Sequence, residues 1–158
     1  MEDRQPPQAA HVTGDGALAT ALRERGLAGG EPEDALVLDA AAADPSSWAE
    51  LEAELLAAYR LSQRAVAAGA PVVYVVDGAA VYGHAAPLRA ALATGLLGGA
   101  RSLAAEGRRD GVPAHAVTAD PSAPVAPVAD TVAWLLAGGA ATGQLVHCDD
   151  VHVGRPAA

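Results

Sequence analysis

Apolar residues along the chain fall into short continuous runs separated by longer stretches with helical spacing. Val72-Val-Tyr-Val-Val76 is five residues of β-branched and aromatic character, which reads as a strand buried on both faces, closed by Asp77-Gly78. Asp34-Ala-Leu-Val-Leu-Asp39 and Val112 to Val117 read the same way, and Gln144 to His147 and His11 to Thr13 predict two shorter strands. Between them, Leu51, Leu55, Tyr59 and Leu61 recur at helical spacing from Trp48 to about Ala68, with Glu50, Glu52, Glu54, Arg60 and Arg64 mostly elsewhere on the wheel. Ser46 or Ser47 is the expected N-cap and Gly69-Ala70-Pro71 the stop. Helices are also predicted over Ala17–Arg25, ended by Gly26, over Leu88–Glu106 and over Val128–Ala137. Strands alternating with helices give the expected fold class: α/β, a Rossmann-like, mostly parallel sheet.

At 158 residues the chain suits one domain, taken as 11–158 after a loose tail over 1–10. With 51% hydrophobic and 18% charged residues it is not a disordered composition. Ten basic against nineteen acidic side chains give a formal charge of −9, which argues against a nucleic-acid partner. No apolar stretch approaches the roughly 20 residues of a membrane helix, and the first ten residues lack a signal-peptide core, so a cytoplasmic location is expected. Cys148 is the single cysteine and cannot form an internal disulfide or a cysteine-based zinc site. The chain has no Lys and no Asn. Without an ammonium side chain, a Walker-type phosphate loop and Schiff-base chemistry are excluded.

Three stretches carry a family resemblance. They are Gly95-Leu-Leu-Gly-Gly-Ala-Arg101-Ser-Leu-Ala-Ala-Glu106-Gly, Gly111-Val-Pro-Ala-His-Ala-Val-Thr-Ala-Asp120, and Val128 to Ala137 followed by Thr142-Gly-Gln-Leu-Val-His147. In order and spacing, over residues 72–148, they resemble the short-chain dehydrogenase/reductase family, in particular 3-oxoacyl-ACP reductases. The resemblance implies a Rossmann-like sheet shortened at its nucleotide-binding half. The family's T-G-x-x-x-G-x-G turn is reduced here to Thr13-Gly14-Asp15-Gly16, with a carboxylate where a diphosphate would approach. Only seven residues separate Gly26 from Asp34, so the βαβ crossover that would hold an adenosine is expected to be absent. No nicotinamide cofactor is expected to bind.

In the register set by Arg101 to Glu106, the family's catalytic Lys falls on Ala93, its Tyr on Arg89 and its Ser on Asp77, while its Asn has no counterpart. Ketoreduction needs a tyrosine acid beside an ammonium, and neither position is kept. The resemblance also implies that the two long helices pack across a dimer interface, which makes Leu51, Leu55, Tyr59, Leu96 and Leu103 the expected interface residues. The leading expectation is therefore a catalytically degenerate member acting as a structural or regulatory subunit. It would form a homo-oligomer or a hetero-oligomer with an active ketoreductase, in fatty-acid or polyketide-type metabolism.

Two alternatives remain. One is a repurposed, cofactor-independent dehydratase, isomerase or cyclase, using Asp77 and Asp120 at strand ends with Tyr82 and His84 from the next loop. The other is a small-molecule module that binds an acyl or polyketide ligand in the old cleft. Asp77-Gly78 and Asp120-Pro121 also suit ordinary turn and cap roles. His147, Asp149, Asp150 and His152 have a spacing compatible with one divalent ion, but by resemblance this segment is a closing strand and contact tail, and no metal site is expected. His115 is expected to be a hydrogen-bonded interior histidine, Cys148 a buried apolar side chain, Arg108-Arg109-Asp110 a solvated loop, and Trp48 and Trp134 core or interface anchors.

Overall fold

The computed structural model describes residues 7–138 and 141–150. Five strands and five helices alternate: β1 (His11–Val12), α1 (Ala17–Glu24), β2 (Leu36–Ala40), α2 (Trp48–Ala67), β3 (Val72–Asp77), α3 (Gly78–Val81), α4 (Pro87–Glu106), β4 (Ala114–Ala119), α5 (Ala126–Leu136) and β5 (Leu145–His147). All strand pairs are parallel and the spatial order is β1-β2-β3-β4-β5. The continuous apolar runs are the central strands, as a parallel sheet covered on both faces requires. All six residues of β3 and all six of β4 are buried.

Alternation along β3 divides the core. Val72, Tyr74 and Val76 pack with Leu51, Leu92 and Leu96 under α2 and α4. Val73 and Val75 pack with Leu22, Val132 and Leu135 under α1 and α5. The one phenol in the first cluster is satisfied locally: the Tyr74 hydroxyl bonds Ser62 Oγ, which donates to the Ala58 carbonyl at 2.7 Å. Burial pushes the Tyr74 pKa up, so it stays a neutral donor.

Local chemistry sets the helix ends. Ser47 caps α2 by accepting from the Glu50 amide at 3.2 Å, and the Glu50 carboxylate reaches back to the Ser46 amide at 2.8 Å. This is a reciprocal cap with the carboxylate placed at the positive end of the helix. Gly26, at φ +74°, turns the chain out of α1 in the left-handed region that an L side chain rarely adopts.

Several expectations are corrected here. β1 and β2 are adjacent and parallel, joined by the eight-residue helix α1. A βα crossover thus exists at this end, because a helix of two turns is long enough to return the chain beside two-residue β1. Ala10, assigned to the tail, is fully buried and forms a bridge with Ala28, while residues 1–6 lie outside the described residues. Asp77-Gly78 does not end in an open turn but starts α3. Trp48 is 74% exposed and Trp134 50% exposed, so neither anchors the protomer's core. Leu51 and Leu96, expected at an interface, are buried at 4% and 3% exposure inside the protomer. Among the described residues, no helix is long and apolar enough to cross a membrane.

Candidate functional site

The C-terminal ends of parallel strands are where open α/β sheets gather ligands, and here they carry two separate polar groupings. The first begins at Asp77, the last residue of β3. Its Oδ1 accepts from the Ala79 amide at 2.9 Å and caps α3, and its Oδ2 accepts from Arg89 Nε at 2.7 Å. Arg89 Nη2 in turn donates to the Ala41 carbonyl at 3.0 Å, tying α4 to the loop after β2. Arg89 stands where the resembled family places its tyrosine, and it is committed to a structural ion pair.

Beyond α3, Tyr82 Oη lies 2.9 Å from His147 Nε2, and the two rings stack with centroids 5.6 Å apart. The other ring nitrogen, Nδ1, lies 3.1 Å from Oγ1 of the buried Thr118 on β4. A neutral imidazole between two hydroxyls donates from one nitrogen and accepts at the other. Thr118 thus orients the ring that faces Tyr82. Burial, and then the negative charge of Asp149, push the Tyr82 pKa up, so the phenol remains protonated at neutral pH. A Cβ at Gly78 would overlap the Asp149 carboxylate, so a side chain there would need that carboxylate to turn away.

The second grouping surrounds a cavity of about 200 Å³ between α1 and α5. Asp39 at the end of β2 and Asp120 after β4 line it, with Gly16, Val75 and Val128. Burial pushes the Asp39 pKa up against the Ala41 amide, which donates to Oδ1 at 3.2 Å. Asp120 is exposed and its pKa is lowered by Ser122, whose hydroxyl and amide donate at 2.7 and 2.8 Å.

The four residues expected to form a repurposed catalytic set are therefore not brought together. Asp77 is paired with Arg89, Tyr82 with His147, Asp120 accepts from Ser122 at the cavity that Asp39 also lines, and His84 is exposed with only its amide bonded, to the Ala79 carbonyl. Arg89, Thr118 and Asp39 carry the local chemistry and were missed. Asp39 stands next to last in β2, much as Asp77 closes β3, which was the available signal. His147 was recognised only as a ligand type, and its ring is taken up by two hydroxyls. Asp150 is exposed and His152 lies outside the described residues. Cys148 is half-buried, and its thiol donates to Thr131 Oγ1 at 3.1 Å instead of packing as a purely apolar group. The loop Arg108-Arg109-Asp110 is exposed as expected.

A nicotinamide dinucleotide does not fit these residues. The cavity at the start of α1 is smaller than the roughly 300–1,000 Å³ typical of sites for drug-sized ligands. Its lining contains two carboxylates and no arginine, histidine or lysine to meet a diphosphate. The Asp39 carboxylate lies near Gly16, the N-cap of α1.

On the opposite face of the molecule, α2 and α4 form a groove. Tyr59 is 57% and Leu56 42% exposed, with Leu55 and Leu103 half-buried beside them. Hollows of about 500 Å³ near Trp48 and about 380 Å³ near Tyr59 continue along it.

No protein-family model and no curated protein matches the sequence. The fold is similar to that of an oxidoreductase of the short-chain dehydrogenase/reductase family from Burkholderia thailandensis, at TM-score 0.68 and 20% identity over 91% of each chain. It is also similar to a short-chain dehydrogenase from Burkholderia cenocepacia, solved in complex with NADP, at TM-score 0.66 and 15% identity, covering 94% of this chain and 98% of that one. A third similar structure is a short-chain dehydrogenase/reductase, a glucose/ribitol dehydrogenase from Brucella melitensis, at TM-score 0.65 and 12% identity, covering 92% of this chain and 95% of that one. The five-stranded parallel sheet with helices on both faces is thus a short-chain dehydrogenase/reductase-like fold.

Proposed function

We propose that the chain is a catalytically degenerate short-chain dehydrogenase/reductase-like subunit that assembles with a second copy of itself through the α2–α4 face. The observation that carries this reading is the run of exposed apolar side chains on that face: Trp48, Leu56 and Tyr59. Contiguous apolar patches of more than a few hundred Å² mark association surfaces. Charge favours a second copy as the occupant. Along α2, exposed Glu52 and Glu54 in the first turns are followed by exposed Arg60, while α4 ends on exposed Arg101 and Glu106. A two-fold axis perpendicular to α2 reverses the helix, so Glu52 and Glu54 of one protomer would meet Arg60 of the other.

The test is sedimentation of the purified protein with a Leu56→Arg variant. The wild type should run as a dimer. The variant should run as a monomer with an unchanged circular dichroism spectrum. A monomeric wild type that dimerises only on addition of an active ketoreductase would transfer the face to the hetero-oligomer. A wild type that stays monomeric with that partner as well would overturn the reading.

The mismatch at the start of α1 supports the non-oxidoreductase part. NADH and NADPH should leave the melting temperature unchanged, since only a ligand that binds the folded state raises it. A dissociation constant in the low micromolar range by calorimetry would refute this. A second reading, a cofactor-free acid–base enzyme acting on an acyl or polyketide-type carbonyl compound, is favoured by one observation: the Tyr82–His147–Thr118 chain. There Tyr82 would be the proton donor and His147 the group that holds or reprotonates it.

A further inference from the structure

Four polar side chains are buried among the described residues: Ser62, Asp77, His115 and Thr118. Three have partners in Tyr74, Arg89 and His147. His115 has none. It is fully buried near the start of β4, the strand next to the edge strand β5, and neither ring nitrogen has a hydrogen-bond partner. It lies opposite Val73 on β3, and its strand neighbour two positions on is Val117; both valines belong to the cluster under α1 and α5.

Among the described residues, no charge is placed to receive a proton there. The only charged residue of α5 is Asp130, which is exposed and paired with Arg25 at 2.7 Å. On α1, Arg23 and Glu24 are exposed. On β3, Asp77 is at the far end of the strand and bound to Arg89, and on β5 the titratable residue is His147 at its far end. Asp39 of β2 lies beyond β3, beside Ala41. The loop before β4 carries Arg108, Arg109 and Asp110, all exposed. A buried imidazolium would therefore have neither a counter-ion nor an acceptor, which a fold does not tolerate.

We propose that His115 is an acid trigger: taking up a proton there opens the α5–β5 side of the sheet. That side is the weakest boundary of β4. β5 has only three residues, none fully buried, and among the described residues its one neighbour in the sheet is β4. Opening it carries His147 away from Tyr82. Burial lowers the His115 pKa from its ordinary value, the direction the geometry requires. The unfolded histidine takes a proton near pH 6.5 and the folded one only below that. Stability is therefore complete above about pH 6.5, falls as pH drops through that value, and levels off below the folded pKa.

The experiment compares urea unfolding of the wild type with His115→Leu and His115→Gln at pH about 7.5, 6.5 and 5.5. Carboxylates common to all three cancel. Between the highest and the lowest of these values the wild-type folding constant should fall up to about tenfold more than that of either variant, one proton's worth of linkage. Hydrogen-exchange protection of the β5 amides should fall with it in the wild type alone. Equal pH dependence in all three proteins would overturn the proposal. If neither variant folds, the wild-type imidazole resonances decide. A His115 ring that stays neutral in the native protein at pH 5.5 supports the trigger, and one that titrates reversibly near 6.5 with native signals intact refutes it.

Discussion

Replacing Arg89 with alanine should lower the stability of the folded chain by about 3 kcal/mol, the low end of the range for breaking a buried ion pair. The low end applies because the Arg89 side chain keeps 21% exposure, whereas that of Asp77 keeps only 8%. Without the guanidinium, the Asp77 carboxylate retains the Ala79 amide alone and cannot turn to water without uncapping α3. The Ala41 carbonyl also loses its donor, so the loop after β2 comes free of α4. Urea unfolding followed by tryptophan fluorescence measures the loss. Arg64→Ala is the control: its carboxylate partner Glu33 is as near, at 2.8 Å, but both groups are exposed, and solvent screens such a pair so that its loss should hardly be felt. The double variant Arg89→Met, Asp77→Asn should recover much of the loss, because it removes the stranded charge along with its partner. A loss below about 1 kcal/mol for Arg89→Ala would show that Asp77 is solvated in the folded state.

This pair also marks how far the sequence could be read. Strand β3 and helices α2 and α4 were legible because each is long and its period strong, and their ends agree with the expected ones to within a residue. Helix α3 was not, since a four-residue helix has no period, and Asp-Gly is equally a turn signal and a helix cap. The β1–α1–β2 crossover was misjudged by applying a length typical of full units to a loop whose strands are only two and five residues long. Arg89 was recognised as an absent tyrosine, but its real role depends on Asp77 twelve positions earlier, which the sheet and α4 bring within 2.7 Å. The Tyr82–His147 contact spans 65 positions and is created by the parallel placement of β5 beside β4. No local pattern encodes such a pair.

The leucines of the long helices show the same limit, and they supply the second large effect. Leu96→Ala should destabilise the protomer by about 2–5 kcal/mol, the cost of emptying a well-packed core site. Leu56→Ala, measured on dissociated protein, should stay within about 0.5 kcal/mol. Both are leucines in amphipathic helices, and an apolar stripe alone does not say whether its residues face the protein's own sheet or a partner. The structure separates them: Leu96 is 3% exposed and packs in the cluster with Tyr74 and Leu51, whereas Leu56 is 42% exposed. Urea titrations at two protein concentrations distinguish the two roles. A core substitution shifts the midpoint equally at both. An interface substitution abolishes the concentration dependence that association gives the wild type. If Leu96→Ala proved nearly neutral at both concentrations, the α4 helix would not be packed against β3 as described. If Leu56→Ala cost as much as Leu96→Ala in the dissociated chain, the exposed face of α2 would belong to the protomer's own fold, and the proposed dimer would lose its contact surface.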